Sequence, residues 1–257
     1  MKVHEQILKL SRTVDPILSK FERFKFYMTF KYYVWDHYIN NQNRILSRSV
    51  MSLSESITDH IFVPKFLNPF DRLGEYFLLF RSDKSSRHNY HQFYGELISG
   101  IDGKVLEIGL GSTSTERYAA GQPGGGLRAM RMFNPNLELF GGDIDRESVK
   151  AVEFVAYELD QTKEESIRNF ATQMAQHGPF DLIIDDGYHE FFANIKTFEI
   201  LRNLISSGGN YVVEDVHESH IHLWNVYINV HKLNGKILDM RSYRPKVKDN
   251  ILIHIQF

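Results

Sequence analysis

Cysteine is absent from the 257 residues. The chain can therefore form no disulfide, no zinc–thiolate site and no thiol nucleophile, which fits a reducing compartment. Long hydrophobic runs are also missing, since no segment approaches the ~18 apolar residues that a membrane-spanning helix needs. The N-terminal MKVHEQILKLSR lacks the apolar core of a signal peptide. These absences predict a soluble cytoplasmic protein without a membrane span.

Net charge is small as well. The chain carries 30 basic and 32 acidic residues, a formal charge of −2. A protein that binds nucleic acid usually carries a clear cationic excess, because counterion release from phosphates drives that binding. We therefore predict no nucleic-acid partner. The 42% of hydrophobic residues suffices to build a sizeable core in one domain with an appendage.

Residues 20–42 are crowded with aromatic side chains that alternate with Lys and Arg at helical spacing. Such a helix could present a basic aromatic face to nucleic acid or lipid, or it could pack on the domain or in a dimer interface. The small cationic excess favours packing, and with it a homo-oligomer. Pro64 and Pro69 mark a boundary. We predict a helical appendage over residues 1–80, for oligomerisation or substrate cover, and a catalytic domain over 81–257.

After residue 103, apolar segments of strand type alternate with segments of helical periodicity. This alternation predicts right-handed crossovers and a mostly parallel sheet. We expect an α/β, Rossmann-like fold with seven strands, helices on both faces and one antiparallel strand near the C-terminus. FFANIKTFEILRNLISSG is predicted as the helix before the fifth strand. The predicted strands lie in KVLEIGLG, LELFGGDID, FVAYELD, DLIIDDG, GNYVVEDV, KILDMRSYRP and NILIHIQF.

The first five of these strands all bring acidic side chains to their carboxyl ends. In an open α/β sheet, ligands bind beyond those ends, near the point where the strand order reverses. Each acidic end is a weak signal alone, but five in one structural position indicate a functional site. In strand order, the residues are Glu107, Gly109 and Gly111; Asp143 and Asp145; Asp160 and Gln161; Asp185, Asp186 and His189; Glu214 and Asp215.

The loop after the first strand points to a nucleoside-containing ligand. Gly109 and Gly111 allow the backbone to approach a ligand closely. A dinucleotide fingerprint needs a third glycine where this chain has Ser114, which argues against NAD. Asp143 can accept hydrogen bonds from both hydroxyls of a ribose. Its alternative role is to cap the helix that begins at RESVK.

The motifs E-x-G-x-G and G-x-D-I-D, with the acid after the third strand, resemble those of class I S-adenosylmethionine-dependent methyltransferases over residues 80–257. DKSSRHNYHQFYGELI, GGGLRAMRMFNP, IIDDGYH and GGNYVVEDV resemble, more narrowly, metal-dependent bacterial sugar O-methyltransferases. That group methylates deoxysugars of macrolide antibiotics and includes relatives in surface-glycan gene sets. The resemblance implies S-adenosylmethionine as cofactor and a small-molecule or sugar-bearing substrate.

The resemblance also assigns roles to the strand-end residues. It implies that His189 is the general base and that Asp186, Glu214 and Asp215 bind a metal. Oxygen ligands favour Mg²⁺, and three close carboxylates repel one another unless a cation lies between them. The cofactor is expected to contact Glu107, Gly109, Gly111, Asp143, Asp160, Gln161 and Asp185.

Several alternatives stay open at this point. Asp160 and Gln161 could contact the adenine edge, or Asp160 or Thr162 could cap the next helix. Asp185 could support the strand end without touching the cofactor. Residues 112–126 could form a lid or a mere insertion. Asp83, Lys84 and His88 could close the site near the methionine end of the cofactor, or form an ordinary polar loop. The chain could also be a metal-independent N- or O-methyltransferase, or a non-catalytic cofactor-binding scaffold.

Overall fold

The computed structural model describes residues 59–65, 71–111 and 122–257. The aromatic stretch 20–42, Pro69 and residues 112–121 of the long loop lie outside the described residues. The predictions of an N-terminal interface helix and of a lid therefore remain predictions.

One sheet organises the described chain. Its strands have the order β1-β7-β8-β6-β5-β2-β3-β4. Among the described strands, β8 alone runs antiparallel to its neighbours, β6 and β7. The predicted mostly parallel α/β sheet with an antiparallel strand near the C-terminus is confirmed. The strands are β1 Ile61–Phe62, β2 Lys104–Ile108, β3 Glu138–Asp143, β4 Val155–Glu158, β5 Phe180–Asp185, β6 Ile205–Val213, β7 Gly235–Asp239 and β8 Ile251–Gln256.

The sheet has eight strands where the sequence predicted seven. The additional strand, β1, is two residues long and pairs in parallel with β7, with Ile61 opposite Ile237. It lies within the region predicted to be helical. Two residues are too few to show the alternating apolar pattern by which a strand is recognised in a sequence.

Helices cover both faces of the sheet. Along β5, Leu182 and Ile184 share one apolar core with the helices that precede β2 and β3. Ile183, between them, points to the opposite face. There Phe198 of a later helix packs edge-to-face on Tyr211 of β6, with ring centroids 5.0 Å apart. The helices are α1 Asp71–Leu79, α2 Asp83–Ser86, α3 His91–Ser99, α4 Gly125–Phe133, α5 Arg146–Ala151, α6 Glu164–Met174, α7 Phe191–Leu201 and α8 Ile221–His231, with short 3₁₀ turns at Arg202–Leu204 and Glu218–His220.

The helix before β6 is shorter than predicted. It ends at Leu201, and Ile205–Val213 is already strand, so the prediction that ISSG is helical was wrong. Gly208 has a positive φ of 80°, a conformation that helices exclude. The pairing of β5 with β6 also shifts register between Phe180 and Leu182. The first residues of β6 therefore lack the regular apolar alternation by which a strand is recognised in a sequence.

The chain divides into two compact units. The larger contains residues 61–218 and 235–257 and thus the whole sheet. Residues 219–234, which include α8, belong to the smaller unit. Helix α1 shares its core with the sheet through Leu73 and Phe77, although it precedes the predicted boundary at residue 80. That boundary stays a prediction. None of the described helices is long and apolar enough to cross a membrane.

Candidate active site

The carboxyl ends of β2, β5 and β6 meet at the centre of the sheet. Strand β2 has β3 on one side and β5 on the other, so the strand order reverses beside it. Backbone hydrogen bonds align the ends, since Asp186 donates to the Ile108 carbonyl at 2.8 Å and Glu214 donates to the Asp185 carbonyl at 2.9 Å. The predicted site residues after these strands are therefore held at one edge.

The glycine loop after β2 packs directly on the turn after β5. Gly109 has a φ of +88°, and a Cβ atom there would lie 2.0 Å from the Asp186 carbonyl oxygen. Gly111 has a φ of +82° with no atom within 4 Å of its Cβ position. Position 109 thus needs glycine for both conformation and space, whereas position 111 needs it for conformation alone. The loop leaves open backbone beside the acidic edge.

Asp143 ties this loop to the end of β3. Its Oδ2 accepts a hydrogen bond from the Leu110 amide at 2.6 Å, and its Oδ1 accepts one from the Asp145 amide at 2.8 Å. Burial raises the pKa of Asp143, and these backbone hydrogen bonds oppose the rise. Asp145, not Asp143, caps α5, because it accepts from the Glu147 amide at 3.1 Å. The alternative role of Asp143 as helix cap is therefore excluded.

Lys84, on the short helix α2, lies among three carboxylates, of which Glu107 and Glu214 are buried and Asp186 is partly exposed. Its Nζ is 2.7 Å from Glu214 Oε2, 2.8 Å from Asp186 Oδ2 and 3.1 Å from Glu107 Oε1. Gly126 makes room for this group, since a Cβ there would lie 2.8 Å from Lys84 Cε and 2.9 Å from Glu107 Oε1. The sequence placed Lys84 only near the cofactor. The structure places it inside the acidic cluster.

The charges of this cluster are unbalanced. Burial alone would lower the pKa of Lys84, but Asp186, Glu214 and Glu107 outweigh it and hold that pKa well above its usual value. Burial raises the pKa of Glu107 to about 7 and raises that of Glu214 well above its usual value, although Lys84 opposes both shifts. With all three carboxyl groups ionised, one ammonium would leave an excess of negative charge, which either a proton or a further cation relieves.

Two tyrosines of the DKSSRHNYHQFYGELI stretch hold the acidic pair after β6. The hydroxyl of Tyr94 donates to Glu214 Oε1 at 2.5 Å. The hydroxyl of Tyr90 donates to Asp215 Oδ1 at 2.9 Å. Sequence reasoning missed both residues. Their spacing of four, next to a stretch already linked to the family, is the signal that could have identified them.

The three predicted metal ligands fall into two neighbouring groups. Asp186, His189 and Asp215 each offer a ligand atom within 4.8 Å of the others, and so do Glu107, Asp186 and Glu214. Asp186 belongs to both groups, but the second already holds the Lys84 ammonium. The carboxylate oxygens of Asp186 and Asp215 suit Mg²⁺. Glu214 is engaged on both oxygens by Lys84 and Tyr94.

His189 lies beside this metal-type group in an unusual backbone conformation. Its φ is +54°, and that of Asp215 is +52°. Non-glycine residues adopt the left-handed region rarely, and such residues concentrate at functional sites. His189 Nε2 is 4.0 Å from Asp186 Oδ1, and the side chain is 39% exposed. The predicted base can therefore reach both solvent and the acidic edge.

Asp185 and Gln161 face into the protein. Asp185 is fully buried and accepts hydrogen bonds from Gln161 at 2.7 Å, Asn194 at 3.1 Å and Tyr211 at 3.2 Å. The Gln161 oxygen accepts from the Tyr188 amide at 2.7 Å. These contacts brace the turn that carries Asp186 and His189. The predicted cofactor contacts of Asp185 and Gln161 remain predictions.

Asp160 forms hydrogen bonds within the turn that follows β4. It accepts hydrogen bonds from the Thr162 amide at 3.0 Å and from Lys163 at 2.7 Å. The hydrogen bond from Lys163, followed by that from the Thr162 hydroxyl, lowers the pKa of Asp160 to about 2. Helix α6 has Lys163 at its N-cap, with no side-chain cap. Neither Asp160 nor Thr162 therefore caps it, and the predicted contact of Asp160 with adenine stays a prediction.

Comparison with known proteins identifies relatives of one kind. No protein-family model matches the chain. It is 33% identical over 126 residues to mycinamicin VI 2''-O-methyltransferase of Micromonospora griseorubida, covering 48% of this chain and 28% of that protein. It is 32% identical over 160 residues to L-olivosyl-oleandolide 3-O-methyltransferase of Streptomyces antibioticus, covering 59% and 38%. The matched regions thus span less than two-fifths of these relatives.

Two solved structures are also similar to part of the chain. The MycE methyltransferase in complex with Mg, SAH and mycinamycin VI shares 26% identity and a TM-score of 0.47, over 66% of this chain and 40% of that one. The N-methyltransferase NodS from Bradyrhizobium japonicum shares 15% identity at a TM-score of 0.43, over 75% and 98%. The resemblance that the motifs predicted, to class I S-adenosylmethionine-dependent methyltransferases and among them to bacterial sugar O-methyltransferases, is confirmed by the curated relatives.

Proposed function

We propose that this chain transfers a methyl group from S-adenosylmethionine to a sugar hydroxyl, with Mg²⁺ bound at the acidic edge. The acceptor is a sugar of a natural product or of a bacterial surface-glycan precursor. The observation that carries the proposal is the convergence of Asp186, His189 and Asp215 within 4.8 Å, beside the glycine loop. The relatives that methylate macrolide and tetracenomycin sugars support the acceptor class.

The glycine loop and Asp143 are the proposed cofactor contacts. Gly109 and Gly111 carry no side chain, so a ligand can approach the backbone closely at these positions. Asp143 accepts backbone hydrogen bonds from Leu110, Gly111 and Asp145. Its two carboxylate oxygens offer about four acceptor positions, so one remains for a ribose hydroxyl. S-adenosylmethionine supplies an electrophilic methyl group on its sulfonium. The surplus of negative charge around Glu107 favours that positive group.

Asp186 and Asp215 are the proposed metal ligands, with Glu214 as their neighbour. A bound Mg²⁺ acidifies a coordinated hydroxyl, as it does water. Lys84 and the two tyrosines hold the carboxylates in place before any ligand arrives. These carboxylates then need to move less when the acceptor binds.

His189 is the proposed base. An imidazole can accept a proton at cellular pH. His189 projects from a turn that Asp185 and Gln161 brace from below. In the proposed reaction the acceptor oxygen attacks the methyl carbon, the carbon–sulfur bond breaks, and the hydroxyl proton passes to His189. The protein positions these groups in line.

A metal-independent methyltransferase is the second candidate, and one observation favours it. The Lys84 ammonium already contacts Asp186 and Glu214, two of the three predicted metal ligands, as well as Glu107. Part of the negative charge is therefore compensated by the chain itself. If this compensation suffices, methyl transfer survives removal of divalent ions.

Calorimetric titration of S-adenosylhomocysteine, first with Mg²⁺ and then with EDTA, tests the cofactor site. Transfer of tritiated methyl groups to deoxysugar glycosides and sugar nucleotides, in the same two buffers, tests the reaction. Binding in both buffers with transfer only in Mg²⁺ is the expected result. Transfer that survives EDTA selects the second candidate. Absence of cofactor binding overturns the proposal, and binding without transfer to any sugar favours a scaffold.

A further inference from the structure

The imidazole of His88 is buried without a hydrogen bond. Its side chain is 1% exposed, and neither ring nitrogen has a hydrogen-bond partner within the described ranges. The ring stacks on Tyr90 with centroids 4.6 Å apart, which fixes its plane. A buried polar group without a partner is costly, so it calls for an explanation such as an unseen ion.

Nε2 of His88 faces two carboxylates. It lies 3.3 Å from Asp215 Oδ1 and 4.0 Å from Asp83 Oδ2. Ligand atoms of these three residues all lie within 4.8 Å of one another. An imidazole nitrogen without a proton offers a lone pair to a cation.

We propose that Asp83, His88 and Asp215 form a second cation site, suited to a divalent transition-metal ion such as Mn²⁺. One imidazole nitrogen with two carboxylates is a ligand set of such ions. Two metal–ligand bonds of about 2.1 Å span at most about 4.2 Å. Both distances from His88 Nε2 fall within that span. The side chain of Asp83 is 51% exposed, which leaves an entry path for the ion.

The second site adds to the proposed function and does not rest on methyl transfer. It shares Asp215 with the Asp186–His189–Asp215 group, so Asp215 bridges the two sites. An ion bound to His88 would thus hold a carboxylate that also belongs to the first group. The site thus uses two residues, Asp83 and His88, to which the proposed reaction gives no role.

The test counts Mn²⁺ ions on the full chain after treatment with EDTA and desalting. Free Mn²⁺ is followed by its electron paramagnetic resonance signal during titration, without cofactor. The wild type is expected to bind two ions. His88→Gln and Asp83→Asn are each expected to lower the affinity for one of the two Mn²⁺ ions at least 10-fold. Removing a metal ligand, or a residue that orients one, has an effect of this size. The control Glu147→Gln, an exposed acid on α5, keeps both ions.

A second measurement identifies the ligands. In Asp186→Asn, which disables the first group, pulsed resonance of the remaining Mn²⁺ is expected to show coupling to an imidazole nitrogen. That coupling disappears when His88→Gln is added. Ion binding that is the same in wild type, His88→Gln and Asp83→Asn overturns the proposal. A single wild-type ion that His88→Gln weakens supports the second site and shows that the first group binds no Mn²⁺. Asp83 is exposed, so its variant stays informative even if His88→Gln fails to fold. The titration contains no cofactor, so its result does not depend on whether the chain binds S-adenosylmethionine. The second cation site and the proposed methyl transfer can therefore fail independently.

Discussion

Nζ of Lys84 lies 2.8 Å from Oδ2 of Asp186, a residue 102 positions later in the chain. The same atom lies 2.7 Å from Oε2 of Glu214. The short helix α2, which precedes β2, therefore connects the ends of β5 and β6 through one ammonium. Because all of these groups except Asp186 are almost fully buried, their interaction is weakly screened by solvent. This connection is part of the fold as well as of the site.

Lys84→Met is expected to destabilise the protein strongly. The substitution leaves buried carboxylates without their cation, and breaking a buried ion pair in this way costs about 3–5 kcal/mol. Urea denaturation at pH 7.5 measures the loss. Lys150→Met is the matched control, since Lys150 forms an exposed pair with Glu147 and such pairs contribute about 0–1 kcal/mol. Equal unfolding midpoints for the two variants would contradict this connection through Lys84.

His254 gives the fold a dependence on pH that is separate from the site. Burial, with Lys236 as a second cause, lowers the pKa of His254 from 6.5 to about 4. The unfolded chain therefore binds a proton more tightly than the folded one. Stability is complete above pH 6.5 and falls as the pH drops from 6.5 towards 4. The fall is on the order of 3 kcal/mol.

His254→Gln removes this titration. Its amide nitrogen can replace the Nε2 atom that lies 2.8 Å from Asn210 Oδ1. Urea midpoints between pH 4 and 7.5 are expected to fall less steeply in the variant than in the wild type. Lys236→Gln is expected to raise the pKa of His254, as read from its imidazole signal by nuclear magnetic resonance. Parallel stability curves for wild type and His254→Gln would refute the assignment.

Substitution of Gly109 and Gly111 by alanine distinguishes the conformational cost of an added methyl group from its steric cost. Both have positive φ, but only at position 109 would the Cβ meet another atom, the Asp186 carbonyl oxygen at 2.0 Å. Gly111→Ala is expected to cost about 1 kcal/mol of stability, from conformation alone. Gly109→Ala must also push the loop away from the turn after β5, so it costs more. Urea denaturation compares them, and equal losses would count against the close approach.

Much of the fold and the edge of the site could be predicted because both follow from local rules. Apolar runs such as FDLIID have no other way to bury both faces than a central parallel strand. Register then aligns the strand ends, with Ile108 opposite Asp185 and Asp185 opposite Val213. Acids that follow such strands must therefore share one edge.

The partners of those acids could not be predicted in the same way. Lys84 of α2, Tyr94 of α3 and Tyr90 directly before α3 reach the acids after β5 and β6 from more than 90 residues earlier in the chain. No sequence period encodes a contact of that kind. Strand-end spacing likewise grouped Asp186, Glu214 and Asp215 as one metal site. Side-chain direction divides them, because Glu214 turns towards Lys84 and Tyr94 while Asp215 turns towards Tyr90.

Asp143→Asn is expected to weaken cofactor binding before anything else. The amide keeps one acceptor for the loop, but its nitrogen repels the backbone N–H that the lost oxygen accepted. We expect about a 10-fold loss of affinity for S-adenosylhomocysteine by calorimetry. Asp145→Ala is the control two residues away. It removes the cap of α5 and costs about 1 kcal/mol of stability, with affinity retained. Unchanged affinity in Asp143→Asn would remove the ribose assignment.

His189→Asn is expected to retain cofactor affinity while lowering turnover by about 10²–10⁴-fold, the usual contribution of a general base. Asparagine is chosen because it tolerates the left-handed conformation that His189 adopts at a φ of +54°. The bracing turn therefore keeps its shape, and the loss reports the imidazole. Tyr188→Phe, at the exposed neighbouring position, is the control and is expected to keep its turnover. Methyl transfer and calorimetry are measured on the same samples. Near-normal turnover in His189→Asn would show that another group takes the proton.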